Sequence, residues 1–171
     1  MKRCFLSIIF ALWATASYAN DEILLGYIDW IVTNSDLEYN GEELPLIAQV
    51  PSEEIQILVY GEDTIRRAEN GEFALDIIIA FYNHHIDTII VNEEFDIEKF
   101  EYHHILVHEL VHYLQDINDI IDDCVQNMEP LAYELQDKWQ KEVDHPGPNV
   151  NWLFVYFVNS HCNGGLPSLS E

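Results

Sequence analysis

The stretch from Ile97 to about Asn118 constrains the fold more than any other part of the chain, because its apolar positions recur with the period of a helix. At about 100° per residue Leu106, Leu110, Tyr113, Leu114 and Ile117 fall on one side, and His104, His108, His112 and Gln115 on the other. Other elements must cover the apolar side. Asp96 is placed to cap the helix start.

The neighbouring segments supply candidates for that cover. Asp76 to Tyr82 and Thr88 to Asn92 are short β-branched and aromatic runs joined through Asn83-His84-His85-Ile86-Asp87, a pattern that predicts a β-hairpin. A further helix is expected from Asn127, its cap, with Pro130 in the first turn and Val125, Met128, Leu131, Leu135 and Trp139 as its apolar face. Upstream, Ile23 to Val32 has helical spacing. Ser52, Glu53 and Glu54 resemble a helix N-terminus ahead of Ile55 to Tyr60, with Gly61 ending it. Asp144 to Asn151, with Pro146, Gly147 and Pro148, reads as a loop, and Trp152 to Val158 fits strand or helix equally. Alternation of a hairpin with helices gives an α+β class.

The N-terminus has the character of an address. Lys2 and Arg3 precede an apolar run from Phe5 to Trp13, and Ser17 and Ala19 occupy the small-residue positions before a cut. This predicts a signal peptide over residues 1–19 and a single domain over 20–171, secreted or periplasmic. A membrane anchor would need about 20 apolar residues, and this run is nearer half that. Cys4 would leave with the signal. In an oxidising compartment Cys124 and Cys162 are expected to pair, a closure that would contribute about 4 kcal/mol.

Composition narrows the partners. The 171 residues include 31 acidic and 7 basic side chains, a net charge of −24, so nucleic acid and anionic membrane surfaces are excluded as partners on electrostatic grounds. A hydrophobic fraction of 49% is enough for a core, so the acidity does not mark a disordered chain. A metal ion or a neutral or cationic partner fits better.

His108-Glu109-Leu110-Val111-His112 is a complete H-E-x-x-H motif. On a helix, imidazoles four residues apart stand one above the other and can reach one Zn²⁺, while Glu109 lies beside the ion rather than on it. Such a set suits metal-assisted hydrolysis, in which the carboxylate takes a proton from water and passes it to the leaving amine. A catalytic zinc takes three protein ligands. The third is sought in the next helix, where Glu129 and Glu134 are candidates; Glu129 is favoured because Ala132, one turn on, lets two helices approach closely. Asp116, Asp119, Asp122 and Asp123 read as an acidic exposed loop. His104 is too far from His112 for the same ion, His103 reads as a core histidine, and His84, His85 and His145 as turn or loop residues.

His-Glu-Leu-Val-His-Tyr-Leu-Gln from His108 to Gln115, followed by Glu-Pro-Leu-Ala-Tyr-Glu-Leu-Gln from Glu129 to Gln136, resembles the zincin metallopeptidases of the gluzincin kind, and is most similar to small secreted bacterial zincin-like proteins. The resemblance covers about Asp76 to Lys141. It implies an active-site helix, an edge strand that pairs with an extended peptide or protein substrate, and a second helix donating a glutamate. Carried onto this chain, it makes His108, His112 and Glu129 the zinc ligands and Glu109 the base. Pro130 departs from the family pattern, since it biases Glu129 away from helical dihedrals. Tyr133, Tyr156 and His161 are able to stabilise an oxyanion, and none is placed by the motif. The hairpin strand Thr88 to Asn92 is the expected substrate-aligning strand. The competing expectation is an extracytoplasmic zinc-binding or interaction module that cleaves nothing, suggested by a chain too short for a second lobe.

Overall fold

The computed structural model describes residues 6–72, 74–120, 127–152 and 155, with side chains described from Asn20 onward. Its elements follow in the order α1 (Leu6–Asn34), β1 (Leu46–Val50), α2 (Ser52–Tyr60), α3 (Glu62–Glu69), β2 (Ala80–Asn83), β3 (Thr88–Asn92), α4 (His103–Ile117) and α5 (Glu129–Glu142). The class is α+β. The expected Cys124–Cys162 pair, Tyr156, His161 and most of the Trp152 to Val158 stretch lie outside the described residues.

Helix α4 is the centre of the packing, with α1, α5 and β2 against it. Leu24, Ile28 and Ile31 of α1 meet Leu106, Leu110, Val111 and Leu114 of α4 in one apolar core. Burial is not confined to that side: His104, His108, Glu109 and Gln115 on the opposite face of α4 are buried as well. The face read from sequence as polar is therefore an interior one, covered by α5 and β2.

Helix starts differ from expectation at α2, α4 and α5; in α2 Ser52, expected as the cap, is the first helical residue and Pro51 holds the cap position. Helix α4 begins at His103 after one 3-10 turn, Phe100–Tyr102, rather than near Ile97. Asp96 does not cap it, because its carboxylate accepts the Glu98 N–H at 3.1 Å in a local turn, and Ile97 packs against the core with its carbonyl bound to the His103 ring. Helix α5 begins at Glu129, and Met128 rather than Asn127 holds the cap position without a side-chain bond. Pro130 sits within the first turn, where its missing N–H is no loss.

The sheet has the order β1-β3-β2. Strand β2 pairs antiparallel with β3, giving the expected hairpin, although β2 begins at Ala80 rather than Asp76 and Asn83 belongs to it. Strand β1 adds in parallel on the far side of β3, with Leu46 opposite Thr88. Strand β3 is thus central and fully buried, so it cannot align a substrate; the exposed edge beside α4 is β2. A pairing that joins residues so distant in sequence leaves no local signature.

Helix α1 runs unbroken through the proposed cut after Ala19, and its core residues Leu24, Ile28 and Ile31 all lie beyond that position. Among the described residues no helix is long and apolar enough to cross a membrane.

Candidate metal centre

Helix α4 presents His108 and His112 one turn apart, and α5 crosses it so that Glu129, the first residue of α5, faces both rings. Ala132 is fully buried, as expected of a residue that lets two helices approach closely. The His108 and His112 Nε2 atoms are 3.1 Å apart, and the Glu129 carboxylate oxygens lie 3.3 Å from one and 3.6 Å from the other. In a tetrahedral zinc site with bonds of about 2.0–2.1 Å, donor atoms stand about 3.3 Å from one another. The three donors fit that spacing. Among the described residues no other group of histidine, cysteine and carboxylate donors comes together in this way.

The protonation pattern agrees with the spacing. His108 Nδ1 meets Gln136 Oε1 at 3.0 Å, and His112 Nδ1 meets Gln115 Oε1 at 2.9 Å. An amide oxygen only accepts, so each Nδ1 carries the hydrogen and each ring turns its Nε2 toward the other. Gln115 is itself oriented, because its Nε2 donates to the Met128 carbonyl at 3.0 Å. Two imidazole nitrogens and a carboxylate converging on one point could hold a metal ion.

Electrostatics follow from the same geometry. Burial opposes charge on His112, but the hydrogen bond and charge of Glu129 outweigh it and raise the His112 pKa above the ordinary imidazole value. Burial likewise opposes charge on Glu129, and the two imidazoles reverse the balance and hold its carboxyl well below the usual range. Glu109 is only 6% exposed, and burial lifts its pKa despite the opposing pull of His108 and His112. Its Oε2 accepts the backbone N–H of Tyr82 at 2.7 Å. That bond is available because the Asn92 N–H binds the Ile79 carbonyl, and by alternation Ala80 and Tyr82 turn their backbone groups outward from the sheet.

These residues line a cavity of 440 Å³ whose other walls include Val59, Ile78, Phe81, Met128 and Tyr133. The Tyr133 ring stands edge-on to His108 with centroids 4.5 Å apart. Its hydroxyl has no hydrogen-bond partner among the described residues, and burial, followed by the charges of Glu129 and Glu109, raises its pKa so that it keeps its proton.

The remaining candidates separate clearly. Glu134 is exposed and outside the cluster. His103 is a satisfied packing residue, bound to the Tyr27 hydroxyl at 2.6 Å and the Ile97 carbonyl at 2.8 Å. His104 packs against His145 with centroids 4.9 Å apart and ring planes at 51°, outside the donor set, and its buried Nδ1 has no hydrogen-bond partner among the described residues. His84 lies on the cavity wall. Asp116 is not in an exposed loop: it belongs to α4, lines the cavity and accepts the Tyr82 hydroxyl at 2.7 Å. Its spacing of four from His112 is the signal that would have placed it. Gln136, seven residues after Glu129 and so two turns along the same face, was equally legible.

No curated protein and no solved structure matches the chain. Residues 16–164 match the family described as "Domain of unknown function (DUF6647)", and the chain belongs to that family.

Proposed function

We propose that the chain is a secreted zinc-dependent peptidase-like hydrolase with a zincin-like arrangement of its active-site helices. The observation that carries this reading is Glu109: a buried carboxylate that binds none of the donor atoms yet adjoins a three-donor set opening onto a cavity. A structural metal site has no use for such a group, whereas hydrolysis needs a base there.

A zinc ion held by His108, His112 and Glu129 would acidify water and polarise the scissile carbonyl. Glu109 then accepts one proton from the attacking water and delivers it to the departing amine as the carbon–nitrogen bond breaks and the new carbon–oxygen bond remains. The Tyr82 N–H fixes one Glu109 oxygen and leaves the other to carry the proton. Tyr133 keeps its proton, has no hydrogen-bond partner among the described residues and lines the cavity, so it would donate to the developing oxyanion. The outward backbone groups of Ala80 and the Tyr82 carbonyl offer an extended peptide an edge to pair with.

The test is metal content per chain on protein purified without chelator, paired with cleavage of an unbiased peptide library. Glu109→Gln should keep one zinc and lose at least about a hundredfold in turnover, and His112→Ala should lose both zinc and turnover. Unchanged turnover in Glu109→Gln would overturn the mechanism. One zinc with no cleavage in the unaltered protein would favour a zinc-binding module instead.

A further inference from the structure

We propose that Asp116 makes the cavity selective for peptides carrying a lysine or arginine side chain next to the scissile bond. This inference rests on the hydrolase reading above and names its substrate class.

Charge balance within the cavity is the starting point. A divalent ion with Glu129 bound and Glu109 beside it would form a neutral set, and no lysine or arginine among the described residues lines the cavity. Asp116 is the wall carboxylate left over. It stands one turn beyond His112 on the same strip of α4, so its backbone lies about 6 Å further along the helix axis than that of the ligand. Only Oδ2 is engaged, by the Tyr82 hydroxyl, and Asp116 forms no ion pair among the described residues.

The walls between suit the rest of such a side chain. Val59, Ile78, Ala80, Phe81 and Met128 are apolar, and the aliphatic stem of a lysine or arginine packs on such surface while its head reaches a carboxylate. An acidic residue would bring a second negative charge against Asp116. The molecule's net charge of −24 acts in the same direction at long range, drawing cationic peptides to the cleft.

Three matched peptides, with lysine, norleucine or glutamate at the variable position, separate this proposal from the one beneath it. On the zinc-loaded protein, kcat/KM should favour lysine over norleucine by about ten- to hundredfold, decreasing with added salt, and glutamate should be worst. Asp116→Asn, which still accepts the Tyr82 hydroxyl, should bring lysine and norleucine level. Tyr82→Phe, which removes that hydrogen bond but not the charge, should keep the preference. Calorimetric titration of zinc-loaded Glu109→Gln with the same peptides reads selectivity without turnover. Norleucine and lysine peptides cleaved equally, or a preference that survives Asp116→Asn, would overturn this inference and leave the hydrolase intact. Lysine-selective binding without any cleavage would overturn the hydrolase and leave the cationic site. Binding of none of the peptides overturns both.

Discussion

Each imidazole of the three-donor set is held by a glutamine. Gln136 is 8% exposed and Gln115 2%, so both bonds are sheltered from water and set the ring tautomers. Replacing either with leucine should lower zinc affinity about 10- to 100-fold, measured by competition with a chromophoric chelator. Glu129→Ala should weaken binding at least as much, while Glu134→Ala, on an exposed side chain, should leave it unchanged. His104 tests a different balance. Burial, then the neighbouring His145, holds its pKa down at about 4. The unfolded chain protonates this residue near pH 6.5, so between 6.5 and 4 the unfolded state binds more protons and stability falls as pH falls. His104→Leu should flatten that decline in melting temperature across this window relative to the unaltered protein, both measured with chelator present. Parallel curves would show that His104 does not titrate in this way.

At the level of elements, the contact between α4 and α5 assembles the site, and Ala132 sets its closeness. Ala132→Leu should destabilise by about 1–3 kcal/mol through overpacking, read from the urea midpoint, and should weaken zinc binding as well because α5 carries Glu129. Loss of stability with unchanged zinc affinity would mean that Glu129 reaches the ion independently of helix spacing. The two helices were legible because their information is local: a period of 3.6, a four-residue histidine repeat and a glutamate at the head of the next helix. The sheet was legible only in part. Its hairpin is local, but β1 pairs with β3 across more than forty residues, and Leu-Ile-Ala-Gln-Val, though bounded by Pro45 and Pro51, lacks the alternation that would announce a strand. Without that strand β3 reads as an edge; with it β3 is central, and β2 is the edge strand beside α4. Asp116 was misread for a different reason: the helical pattern already extends to about Asn118 and so contains it, but it was grouped by charge with the aspartates that follow instead of by its spacing of four from His112.

Across the whole molecule, Glu129 brings one of many carboxylates of a chain with net charge −24 into a buried place where only the two imidazoles outweigh the cost of burial, a task a bound cation would share. The ion would also join α4 to α5, linking the element that meets α1 and the sheet to the one that follows residues 121–126. Zinc should therefore act as a folding ligand. At free zinc about 100 times its dissociation constant the native state gains about 2.7 kcal/mol, seen as a rise in melting temperature that a chelator reverses. Glu109→Gln should show the full rise, because Glu109 is not a ligand, and His112→Ala should show little. The rise should shrink as pH falls, since protons compete for the same nitrogens and Glu129 raises the proton affinity of His112. A melting temperature indifferent to zinc and chelator, in protein shown to be metal-free beforehand, would remove the ion from the fold and with it the hydrolase built upon it.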